Sequence, residues 1–163
     1  MSALRYADLL ARARERVPEL MPWDLAPRLA RPDALLLLDV REPAEAARVR
    51  IAGALQVPRG VLEQACEWDF DETEPALVGA RERPVVVICR SGNRSLLAGE
   101  TLLALGYRDV ASLATGLRGW NDAELPLVDG DGRTLDPDEA ERRLAARLRP
   151  EQRRPASGGS HRQ

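Results

Sequence analysis

The chain contains no lysine: all 24 of its Lys-or-Arg positions are arginine. That excludes Schiff-base chemistry and lysine nucleophiles, and leaves arginine, a two-pronged oxyanion binder, as the working cation. The single histidine, His161, sits in the last stretch of the sequence. Catalysis by a Cys–His pair needs an imidazole within hydrogen-bond reach of the thiol, so a protease or acyltransferase of that kind is disfavoured. A metal site is not expected either, for want of ligands. Two cysteines, Cys66 and Cys89, are too few for a disulfide framework, which makes a reducing cytoplasm the expected compartment. No apolar run reaches the roughly 18 residues a membrane helix needs. The opening MSALRYADLLARARERV lacks the unbroken apolar core of a signal peptide. A net charge of −2 gives no electrostatic reason to expect nucleic acid or a membrane as partner.

What the sequence does contain is organised around VVVICRSGNRSLLAGETLLAL, residues 85–105. Val85 to Ile88 is too short for a helix and rich in β-branched residues, so it reads as a buried parallel strand. The polar loop Arg90-Ser91-Gly92-Asn93-Arg94 follows, and a helix is expected from about Ser95. A strand that feeds a helix through a tight loop turns several backbone N–H groups into one concavity beside the positive end of the helix dipole. A cysteine at the mouth of that concavity is favoured as a thiolate, which makes Cys89 the expected nucleophile. Arg90 and Arg94 are the cations placed to draw in an anionic donor, the plainer alternative being solvated loop charges.

Around this unit, strands and helices alternate. A surface helix is expected over 4–17, an edge strand at 19–21, and a helix from Pro22 to about Ala30. A buried strand over 34–40 ends at Asp39, a helix runs over 43–49, and a short strand over 54–57 precedes a helical stretch from Arg59 to about Glu67. The acidic WDFDETE, residues 68–74, reads as a solvated surface loop. Asp109 to Leu113 is a last strand, and Thr115 to Asp122 a short helix with Trp120 as a core anchor. A turn at 129–132 leads to a terminal helix over Pro137–Leu148. The tail from Pro150 is expected to be disordered. The pattern predicts an α/β fold with a mostly parallel five-stranded sheet flanked by helices, its ligand at the carboxyl ends of the strands. Asp39 and Arg41 are expected to form an ion pair supporting the loop, and Cys66 to be a packing residue on its helix.

The loop Cys89-Arg90-Ser91-Gly92-Asn93-Arg94-Ser95 closely resembles the active-site loop of single-domain rhodaneses, sulfurtransferases of the thiosulfate:cyanide type. LLLLDVREPAE (35–45) resembles their second-strand motif, Ile51-Ala52-Gly53-Ala54 their Ile-Pro-Gly-Ala segment, and Thr115-Gly116-Leu117-Arg118-Gly119-Trp120 with Leu125-Pro126-Leu127 their C-terminal signature. Together these span about residues 19–128. Departures are Arg50 where histidine is common, Ala52 for proline, and Thr115 and Glu124 for glycines. The resemblance implies a doubly wound domain over 18–128; the helix before it (1–17) and the turn, helix and tail after it (129–149, 150–163) lie outside the shared pattern. It also implies a persulfide on Cys89, its outer sulfur held by the amides of residues 90–95. Sulfur would pass from a small anionic donor to cyanide or a thiol, with a protein as a further candidate donor or acceptor and no cofactor.

Two rivals stand beside that expectation. A cysteine phosphatase or arsenate reductase uses a similar bowl, but its loop resembles C-x5-R, one residue longer than Cys89 to Arg94. A rhodanese-like module that only binds a partner is the other, with residues 68–74 as its docking surface.

Overall fold

The apolar run becomes strand β4 (Pro84–Ile88), with every residue after Pro84 buried. In the structure, a computed structural model that describes residues 2–31 and 33–157, β4 is the middle of five parallel strands. Their order is β1 (Glu19–Leu20), β5 (Asp109–Leu113), β4, β2 (Leu36–Asp39), β3 (Leu55–Gln56). Successive strand residues point to opposite faces, so a strand covered on both sides must be apolar throughout. Val85, Val87 and Cys89 enter one core and Val86 and Ile88 the other. Each buried valine or isoleucine contributes about 2 kcal/mol relative to exposure.

The first core is closed by α4 (Leu62–Ala65), α5 (Pro75–Val78) and α6 (Asn93–Ala104), through Leu62, Leu77, Ala98 and Leu102. The second is closed by α2 (Pro22–Leu29), α7 (Gly116–Asp122) and α8 (Pro137–Leu144), through Leu25, Leu117, Trp120 and Leu144. α1 (Tyr6–Arg16) packs outside α6, with Ala13 and Val17 against Leu96. α3 (Pro43–Arg48) starts on proline, whose missing N–H costs nothing in a first turn, and leads away from the end of β2.

Four boundaries differ from expectation. The stretch from Arg59 is a 3-10 turn (Arg59–Val61) followed by the short α4 rather than one helix. The one-turn α5 is too short to show a period in sequence. The terminal helix stops at Leu144 instead of Leu148: Ala145 is extended, and residues 145–149 are all exposed, with no apolar face left to bury. The tail begins with an exposed 3-10 turn, Pro150–Gln152. His161 lies outside the described residues.

Candidate active site

Register sets the site. Asp39 is opposite Ile88, so both central strands end at one level, and Cys89 is the first residue past it. The Val40 amide donates to the Ile88 carbonyl at 3.1 Å, one step beyond the ladder. The chain then folds over the cysteine. Gly92 takes φ +93°, and a side chain there would approach the Thr115 amide nitrogen to 3.1 Å and the Leu113 carbonyl oxygen to 3.2 Å. Only glycine meets both demands at low cost.

That reversal aims two backbone donors at the sulfur. The Gly92 N–H reaches Cys89 Sγ at 3.2 Å, and the Ser95 N–H, in the first turn of α6, at 3.4 Å. The Ser95 hydroxyl lies 3.3 Å from the same sulfur and 2.7 Å from the Ser112 hydroxyl on β5. The thiol, expected at the mouth of the concavity, lies inside it: Cys89 is 1% exposed. The left-handed turn at Gly92 draws the loop down as a roof, so the sulfur sits beneath it among N–H and O–H groups.

A second turn holds the loop from below. The Leu117 amide donates to the Cys89 carbonyl at 2.9 Å and the Arg118 amide to the Arg90 carbonyl at 3.1 Å. Gly116, at φ +61°, permits this approach: a side chain there would stand 2.5 Å from the Arg90 carbonyl. The Thr115–Trp120 segment is therefore the underside of the loop, a role its sequence alone does not disclose. Trp120 is buried, its indole N–H donating to the Pro126 carbonyl at 2.9 Å.

Asp39 and Arg41 form the expected pair, both 1% exposed, with Nη2 to Oδ2 at 2.7 Å. Arg41 Nη2 also donates to the Val49 carbonyl, and Gln56 donates to the Arg41 carbonyl, so the pair ties β2, β3 and the end of α3 together. Fully hydrogen-bonded partners are what a charge pair needs to survive burial. Arg94, expected to help hold a donor's oxygens, is paired with a carboxylate of the protein. Its two terminal nitrogens each donate to Glu45 at 2.8 Å, a forked pairing that locks α6 to α3. The Arg94 hydrogen bonds hold the Glu45 carboxyl at about 2, well below its usual range, against the raising effect of its partial burial. Glu45 also accepts from the Glu42 amide at 2.9 Å, so one carboxylate caps α3 and anchors the loop helix.

Arg90, Ser91 and Asn93 make no side-chain hydrogen bond among the described residues. Cys66 is wholly buried, and burial pushes its thiol up, as befits a packing residue. Both cysteines are free. Among the described residues no cluster of His, Cys, Asp or Glu could hold a metal ion, and no helix is long and apolar enough to cross a membrane. Glu45, Ser112 and Gly116 were not singled out from sequence as site residues. Glu45 and Gly116 lie inside the quoted motifs, and Ser112 is the one polar residue among the four buried positions of the strand DVASL.

The family model described as a rhodanese-like domain matches residues 22–123. A sulfurtransferase from Allochromatium vinosum is 35% identical over 118 residues, 71% of this chain and 99% of that one. The structure of a human single-domain sulfurtransferase is 31% identical at a TM-score of 0.56, covering 65% of this chain and 96% of that one. A protein from Rhodopseudomonas palustris, described as of unknown function and a possible tyrosine phosphatase, is 25% identical at a TM-score of 0.68. It covers 77% of this chain and 96% of that one.

Proposed function

This chain belongs to the rhodanese-like domain family, and on that premise we propose that it moves a sulfane sulfur from a small anionic donor to a nucleophilic acceptor through a persulfide on Cys89. The observation that carries the reading is the convergence of the Gly92 and Ser95 N–H groups on one sulfur. The Cys89 thiolate attacks the outer sulfur of a thiosulfate-like donor; the donor's S–S bond breaks, and sulfite leaves with the electron pair. A cyanide ion or thiolate then attacks the outer sulfur of the persulfide, and Cys89 leaves as thiolate. Amides fixed before reaction cost no reorganisation when negative charge arrives on sulfur. A reducing cytoplasm, which keeps Cys89 a thiol, suits this cycle.

A roofed sulfur favours a terminal sulfur atom over a bulkier tetrahedral centre. That weighs against the phosphatase reading raised by the Rhodopseudomonas protein, as does Arg94, whose two-pronged face is engaged by Glu45. The partner-binding module without activity is disfavoured by the intact thiol and its donors. Thiocyanate formation from thiosulfate and cyanide tests the proposal, with an aryl phosphate as the second substrate. Thiocyanate that disappears in Cys89→Ser is expected; aryl-phosphate hydrolysis without thiocyanate would overturn it.

A further inference from the structure

Beside the loop lies a cleft of about 220 Å³ walled by Arg48 of α3, Arg90 of the loop, and Arg143, Leu144 and Ala145 of α8 and its end. Its charge is unbalanced. Arg41 at its base is matched by Asp39, and Glu45 on its wall is taken by Arg94. Arg143 shares Glu139 with Arg142 and donates Nη1 to the Arg48 carbonyl at 2.9 Å, which fixes α8 against α3. Neither Arg48 nor Arg90 makes a side-chain hydrogen bond among the described residues. The cleft thus presents guanidinium groups in excess of carboxylates, on a wall that includes the residue following the nucleophile.

Size narrows the occupant. The volume is that of about seven waters, far more than cyanide fills. Arg48 and Arg90 stand within the matched stretch 22–123, and α8, which brings Arg143 to the cleft, lies beyond it. We infer that Arg48, Arg90 and Arg143 select an acceptor thiol carrying two carboxylates, which they hold while its sulfur faces the Cys89 persulfide. The inference rests on the sulfurtransferase reading above. The transfer is balanced within it: the acceptor thiolate takes the outer sulfur as its own persulfide and Cys89 keeps the electron pair.

The test uses the full chain with thiosulfate as donor and three acceptors: mercaptosuccinate with two carboxylates, mercaptoacetate with one, and 2-mercaptoethanol with none. Rates are compared at equal thiolate concentration. kcat/KM is expected to rise with each carboxylate, about 10-fold from none to two, and the gain to shrink as salt screens the arginines. Arg48→Met, which removes no hydrogen bond, and Arg143→Met should each cut the mercaptosuccinate to 2-mercaptoethanol ratio about fivefold. Arg108→Met, an exposed arginine paired with Glu82, removes the same charge elsewhere and should leave the ratio within twofold. A ratio near one, or one that both cleft variants leave unchanged, overturns the inference while persulfide formation still stands. Failure of every donor to load Cys89 overturns the sulfurtransferase reading and the inference with it.

Discussion

Ser112 Oγ lies 2.7 Å from Ser95 Oγ, which lies 3.3 Å from Cys89 Sγ. The two hydroxyls can run in either direction. When the sulfur is a thiol it donates to Ser95; when it is an anion, Ser112 donates to Ser95 and Ser95 to the sulfur. Ser112 is thus a positioning residue that acts through Ser95. Ser112→Ala is expected to slow persulfide formation about fivefold, as the loss of one buried hydroxyl–hydroxyl bond worth about 1 kcal/mol implies. Ser112→Thr, which keeps the hydroxyl, should recover most of the rate, and stopped-flow release of sulfite from thiosulfate measures both.

The fork between Arg94 and Glu45 sets an acid limit on stability. The Glu45 carboxyl sits at about 2 when folded, below its ordinary value of 4.5. A carboxylate lowered by folding stabilises fully above its unfolded value and loses that contribution as pH falls through the folded one. Glu45→Gln should therefore cost about 1–2 kcal/mol at pH 6, allowing for solvent screening of a pair about one-third exposed, and progressively less from pH 4.5 towards 2. Urea unfolding of both proteins at pH 6 and pH 3 reads the difference.

Gly116 brings the second turn against the loop. Gly116→Ala places a methyl 2.5 Å from the Arg90 carbonyl and strains a positive φ, so the Leu117 bond to the Cys89 carbonyl cannot keep its length. The expected outcome is a loss of turnover of about 100-fold or more, with a fall in melting temperature read by circular dichroism.

Thr115, one residue earlier, is a β-branched side chain held at φ +67°. That conformation costs an L-residue about 1 kcal/mol, and glycine adopts it freely. Thr115→Gly should raise stability by about that amount, a rise of a few degrees in thermal unfolding.

Sequence revealed those parts of the site that are local. Four apolar β-formers ending at Cys89, a tight loop and a helix start marked the strand, the nucleophile and the amide bowl, and the order of four motifs placed them in a family. Asp39 and Arg41, two residues apart, were readable as a pair for the same reason. Glu45 and Arg94 stand 49 positions apart, and nothing in either segment says that the arginine faces a helix rather than a substrate. Ser112 meets Ser95 only because β5 lies beside β4, and the Gly116 turn slides under Arg90 only because α7 begins where β5 ends. Exposure of the sulfur was likewise hidden, since it depends on the conformation of Gly92. The end of α8 is not legible in the sequence, because Ala145 to Leu148 reads as helix by propensity but has no core to face.

The central claim is that Cys89 carries the sulfur in transit. Intact-protein mass spectrometry after incubation with thiosulfate, followed by cyanide, tests it most directly. One sulfur atom should be gained by the wild-type chain, mapped by peptide analysis to Cys89, and removed by cyanide, while Cys89→Ser gains none. A wild-type mass that no sulfane donor changes, or a labile sulfur found on Cys66, would contradict the account.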